Sequence, residues 1–240
     1  MLTLNNISVS IHDTPIIHSF DYSFSDGEMI AILGHNGSGK SSLALSIMGH
    51  PRYQVQGSIV LDGVDISLFS PTDRHIAGLF LSFQNIPEIP GIKVSEYLRT
   101  IYNAHFSRHH IDIKSPSPFV FRRMIEKMLP PLGLDPSFLE RDLFVGFSGG
   151  EKRRIELLQV ALLNPSTIIL DEVDSGLDID AIEILRQQIT QYRDQKKTVI
   201  LITHNFHLLD SIDIDRIVVM RDGQIEKQGD RSLLTDIRTQ

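Results

Sequence analysis

Gly34-His35-Asn36-Gly37-Ser38-Gly39-Lys40-Ser41 fits GxxxxGK[ST], and its flanks limit the fold more than any other part of the chain. Before it runs Met29-Ile30-Ala31-Ile32-Leu33, a continuous apolar stretch suited to a strand buried on both faces. After it, residues 40–48 predict a helix whose inner stripe is Leu43, Ile47 and Met48, ending near Gly49 and Pro51. A buried strand, a glycine loop and a helix in that order belong to an α/β architecture built around a phosphate cradle. Glycines let the backbone curve tightly with no side chain over a ligand, and successive amides at a helix start face anionic oxygens. Gly34, His35, Asn36, Gly37, Ser38, Gly39, Lys40 and Ser41, with Ser42 behind them, are therefore the candidate triphosphate cradle. Lys40 is expected to reach the β and γ phosphates and Ser41 to give a hydroxyl to Mg²⁺, while His35 need not be chemical.

The remaining pattern alternates strands and helices around this motif. Residues 2–11 and 15–24 read as strands joined near His12-Asp13, and 57–61 and 79–83 as two more. From 85 to 147 prolines cluster, and helices are expected at 94–104 and 119–129; this segment reads as an inserted helical subdomain. The α/β core is expected to comprise 1–84 and 148–240, with helices at 151–163 and 179–193. Strands are expected at 168–170 and 198–202, a hairpin about Asp222-Gly223, and a short helix within 230–238.

Three further strand ends carry candidate chemistry. Ile168-Ile169-Leu170 delivers Asp171 and Glu172, the first placed to support Mg²⁺ directly or through water, the second to orient or deprotonate an attacking water. His204 follows the 198–202 strand, where a donor could contact the γ phosphate or fix Glu172; His207 reads as structural. Gln84 stands where the core passes into the inserted segment, and its amide suits the metal's water shell and the attacking water.

Phe147-Ser148-Gly149-Gly150-Glu151 opens a second helix, with Ser148 and Glu151 at capping-box spacing. A hydroxyl and two glycine amides at a helix start form a second anion-facing surface, yet one triphosphate already has its cradle. Ser148, Gly149 and Gly150 are thus expected to cover nucleotide held by another copy, in a two-fold head-to-tail pair. Ser175, Gly176, Leu177 and Asp178 follow the acidic strand and are expected to couple the paired sites, with Asp178 also able to cap the next helix.

The chain has no cysteine, which excludes disulfides, thiolate nucleophiles and cysteine-ligated metals. A net charge of -7 disfavours a general nucleic-acid surface, and no apolar run approaches the roughly 20 residues of a membrane span. The start shows no basic-plus-apolar export signal, so a cytoplasmic chain without direct membrane insertion is expected. His105, His109 and His110 surround Arg108 in a polar stretch and read as solvated, not as metal ligands.

The ordered set GHNGSGKS, Gln84, FSGGE, ILDE, SGLD and His204 resembles an ABC-type ATPase domain over nearly the whole chain. That resemblance implies a P-loop ABC ATPase fold with N-terminal antiparallel β elements, with ATP and Mg²⁺ as ligands. A narrower resemblance is to the ATPase subunit of the SUF iron–sulfur cluster assembly system, carried by residues 48–53, 83–92, 147–156 and 174–181. It implies ATP hydrolysis driving conformational change in SUF scaffold proteins. Docking is expected near Gln84, with Ile89, Ile92, Val94, Tyr97 and Leu98 shared between lobe core and groove. The alternative is the ATPase subunit of an ABC membrane transporter, which shares every ATP-site residue. The family often stacks adenine on an aromatic near the first strand; here that neighbourhood is Ser10-Ile11-His12.

Overall fold

Alternation of apolar residues gives the first strands one buried face. The computed structural model describes residues 1–109 and 113–238, so His110 lies outside them. β1 (Leu2–Ile11) and β2 (Thr14–Phe24) pair antiparallel, burying Leu2, Leu4, Phe20 and Phe24. β3 (Met29–Leu33) buries all five residues and passes through the glycine loop into α1 (Lys40–Ile47). β4 (Gln54–Leu61) then returns to the other edge of β1, and β5 (Val64–Asp65) joins it, giving the order β2-β1-β4-β5. α2 (Pro71–Ile76), capped by Ser70, leads into β6 (Leu79–Ser82).

The middle of the chain contains β7 (Ile89–Lys93), α3 (Val94–His109), α4 (Pro118–Glu126), β8 (Asp142–Leu143) and α5 (Gly149–Leu163). After it come β9 (Thr167–Asp171), α6 (Ile179–Asp194), β10 (Thr198–Ile202), α7 (Phe206–Ser211), β11 (Arg216–Arg221), β12 (Gln224–Gly229) and α8 (Leu233–Arg238). The second sheet has the order β12-β11-β3-β10-β9-β6, parallel throughout except for β12. Every residue of β3, β9 and β10 is buried, as the unbroken apolar runs require. Leu43 and Ile47 of α1 join Phe20, Phe24, Ile169 and Ile200 in one core that spans both sheets. Each such side chain removed from water contributes about 1.5–3 kcal/mol.

Contacts divide the chain into two units. The first holds 1–83, 165–174 and 186–240, and the second 84–164 and 175–185. The sequence reading gives 148–163 to the core; in the structure α5 packs within the second unit. Gln159 accepts the Tyr97 hydroxyl at 3.1 Å there, and Arg154 donates to the Gly133 carbonyl at 3.1 Å. The inserted segment is also not wholly helical, because β7 pairs antiparallel with β8. Pro90 and Gly91 inside β7 hide that strand from any propensity argument. Val94 and Leu98 are buried in this unit, whereas Ile89 and Ile92 are exposed.

Candidate functional site

β3, β9 and β10 run parallel, so their C-terminal ends emerge along one edge of the sheet. The phosphate loop leaves β3, Asp171 and Glu172 end β9, and Thr203-His204 follow β10.

The loop's shape depends on its glycines at two points. Gly34 has φ +146°, and a Cβ there would stand 2.2 Å from the Met220 carbonyl oxygen and 2.8 Å from Ser38 Oγ. Gly37 has φ +83°, but a Cβ there would meet no protein atom within 4 Å. The first glycine is demanded by the protein's own packing; the second faces open space. Gly223, in the β11–β12 turn, donates its N–H to the Ser38 carbonyl at 3.1 Å and so braces the loop from behind. That brace is absent from the sequence reading, since a turn glycine carries no local signal of a distant contact.

Lys40 begins α1 and is only 5% exposed. Its ammonium donates to the carbonyls of Gly34 at 2.7 Å and His35 at 3.0 Å, which folds the side chain back over the loop. Burial lowers the Lys40 pKa, while the charges of Glu172 and Asp171 pull it back up. Ser41 Oγ donates to Asp171 Oδ1 at 3.2 Å, joining the loop to the end of β9 although β10 lies between their strands. Asp171 is buried.

Glu172 adopts a left-handed backbone, φ 47°, and its N–H donates to the Ile202 carbonyl at 2.8 Å. A non-glycine residue held there costs about 1 kcal/mol and turns its side chain off the strand direction. The result is an approach of 3.3 Å between Glu172 Oε1 and His204 Nε2. Thr203 supports this edge, its hydroxyl lying 2.9 Å from both carboxylate oxygens of Asp174. His207 is exposed on α7. Ile11 is half-buried and His12 exposed at the β1–β2 turn.

These groups fit a magnesium triphosphate. The buried Ser38 hydroxyl has no partner among the described residues, and the space over Gly37 is open. Ser41 and Asp171 supply the hard oxygen donors that Mg²⁺ takes alongside phosphate and water.

The other predicted residues belong to the second unit. Ser148 caps α5, its Oγ accepting the Glu151 N–H at 3.2 Å while Glu151 Oε2 accepts the Ser148 N–H at 2.9 Å. The hydroxyl proton is not consumed by that box. Gly149 and Gly150 face the 175–181 segment closely, with a Gly150 Cβ only 3.3 Å from the Ala181 Cβ. Ser175 and Gly176 are exposed, Leu177 is half-buried, and Asp178 Oδ1 accepts the Ala181 N–H at 2.8 Å. Gln84 is exposed, and its main-chain carbonyl accepts from Arg153 Nη2 at 3.2 Å. Lys152 pairs with Glu88 at 3.1 Å, a partner that sequence alone does not select.

Comparison with known proteins agrees with this geometry. Residues 17–175 match the family described as ABC transporter. The "Probable ATP-dependent transporter slr0075" of Synechocystis sp. is 41% identical over 99% of this chain and 92% of its own length. The "Probable ABC transporter ATP-binding protein SpyM3_0208" of Streptococcus pyogenes serotype M3 is also 41% identical, over 98% and 91%. Among solved structures, the dimeric MJ0796 bacterial ABC transporter cassette superposes with a TM-score of 0.80 at 20% identity, covering 96% of this chain and 98% of that one. A dimeric post-hydrolysis form of the same cassette, bound to ADP and Pi, matches equally well.

Proposed function

The chain belongs to the ABC transporter family and is an ATPase acting on ATP with Mg²⁺, and on that premise we propose a role for each group along the sheet edge. Lys40 neutralises the β and γ phosphates, and the loop amides from Gly34 to Ser41 hold the phosphate chain. Ser41 and Asp171 would hold Mg²⁺, which would supply charge stabilisation at the phosphate oxygens. Glu172 accepts the proton of the water that attacks the γ phosphorus, and ADP leaves as the β–γ bond breaks. His204 keeps the Glu172 carboxylate aimed. Gln84 is assigned to the metal's water shell and the attacking water. The observation that carries this reading is the pair of contacts at the strand ends, Ser41 with Asp171 and Glu172 with His204.

Ser148, Gly149 and Gly150 close the site from a second copy arranged head-to-tail, with Ser175–Asp178 coupling the two. Support comes from a capped helix start whose glycines pack beside that segment, and from the dimeric state described for the MJ0796 cassette. Glu172→Gln tests both halves of the reading. It should retain ATP, lose turnover by about 10²–10⁴-fold, and accumulate a closed dimer by size exclusion. Unchanged turnover removes Glu172 from the central role.

Hydrolysis then does work on a separate partner. The descriptions of the relatives as ATP-dependent transporters favour a membrane transporter component. A second reading, SUF scaffold proteins, is supported by the residue strings 48–53, 83–92, 147–156 and 174–181. In either case exposed Ile89 and Ile92 offer apolar contact. Capture of the tagged chain from native extract separates the two: an integral membrane permease supports the first, SUF scaffold proteins the second.

A further inference from the structure

Two successive side chains at the start of α5 grip the segment 84–88. Lys152 reaches Glu88, but that carboxylate is 49% exposed, and such pairs contribute about 0–1 kcal/mol. Arg153 is different. Its side chain is 10% exposed and its partner Glu156 7%. Nη1 donates to Glu156 Oε2 at 2.6 Å and Nη2 to the Gln84 carbonyl at 3.2 Å. The carboxylate sits one helical turn away, so it locks the guanidinium's rotamer and aims the second branch at the peptide. A planar fork can serve a carboxylate and a carbonyl at once in fixed geometry, which an ammonium cannot. Gln84 is consequently a residue with an exposed side chain on a main chain anchored to a helix.

The same helix begins with Ser148, Gly149 and Gly150. We infer that Arg153 is a positioning residue, its guanidinium tying the Gln84 peptide to the first turns of α5 so that these two segments shift together. This rests on the proposed function, in which Gln84 serves the nucleotide of its own chain and Ser148–Gly150 that of a second copy. Arg153 then links one ATP to the other. It touches no nucleotide itself; it transmits.

Arg153→Lys keeps a cation beside Glu156 and gives up the fork. The expected result is nucleotide affinity within twofold of wild type, kcat lowered about tenfold, and a Hill coefficient for ATP-dependent turnover moved toward 1. On a Gln84→Ala background the same change should lower kcat less than twofold further, because the group it positions is gone. Arg153→Met with Glu156→Leu repeats the cycle without leaving a buried charge unpaired. A loss that disappears on the Gln84→Ala background, in either variant, supports the inference. Equal losses on both backgrounds assign Arg153 a purely structural role and overturn it, as does normal turnover in both variants. If Gln84→Ala alone turns over like wild type, the assigned role of Gln84 is what fails, and the inference falls with it.

Discussion

Arg74 offers the most quantitative test of how the phosphate loop's helix is held. It is 3% exposed, and its guanidinium donates to four main-chain carbonyls: Ser46 at 2.9 Å, Ile47 at 2.7 Å, Ser67 at 2.6 Å and Phe69 at 3.1 Å. Two of these lie at the C-terminal end of α1, where the Ser46 carbonyl also accepts the Gly49 N–H at 3.0 Å, and a cation there complements the helix polarity. Arg74→Met keeps most of the stem's packing and removes all four bonds. The Ser46 carbonyl keeps the Gly49 N–H, so three carbonyls, those of Ile47, Ser67 and Phe69, lose their donor, and at about 1 kcal/mol for each the loss is about 3 kcal/mol. The cost of burying a guanidinium disappears with it, so a net loss of about 2 kcal/mol is expected. For a chain of this length that lowers the melting temperature by about 4–8 °C. Urea unfolding followed by circular dichroism measures it directly, the slope reporting whether the unfolded state changed as well. A loss below about 1 kcal/mol would show that water reaches these carbonyls once the side chain is shortened, and the capping argument would be refuted.

Lys40→Ala should leave the fold intact and weaken ATP binding by at least tenfold, read by titration with a fluorescent nucleotide; unchanged affinity contradicts its place in the cradle. Gly34→Ala forces a methyl to 2.2 Å from the Met220 oxygen, so the loop must shift and thermal stability should fall by about 2 kcal/mol or more; a melting temperature within 1 °C of wild type falsifies that packing. Asp215 carries the pH prediction. Burial raises its pKa, but the Arg193 and Met29 hydrogen bonds and the Arg193 charge outweigh that and hold it below its usual value. The stabilisation is therefore complete above the ordinary carboxylate pKa and disappears as pH falls through the depressed one. Asp215→Asn should narrow the difference between urea midpoints at neutral pH and at about pH 3; an undiminished difference would place the acid sensitivity elsewhere.

What could be read from residues alone follows the range over which each signal acts. The glycine loop, the apolar runs of β3, β9 and β10, and the Ser148–Glu151 box are local, and each stands where periodicity and spacing put it. The left-handed turn at Glu172 is equally local but invisible, because glutamate advertises no such conformation. Contacts made across long separations left no mark: Arg74 on the end of α1, Gly223 behind Ser38, and Arg153 on Gln84. In β7 the sequence misleads, as Pro90 and Gly91 argue against the strand that pairing with β8 imposes. Adjacent residues in Asp171-Glu172 read as a pair of acids, yet the fold buries the first against Ser41 and turns the second toward His204.

The placement of β10 between β3 and β9 has a geometric corollary. Neighbouring strands stand about 4.8 Å apart, so the ends of β3 and β9 are separated by about 9.5 Å, with the end of β10 and the His204 that follows it midway. Hydrogen bonding of the sheet sets that gauge, and no loop residue can alter it. Sequence drift in the turns can retune what they contact, but the span from the glycine loop to the acidic strand end is inherited from the backbone.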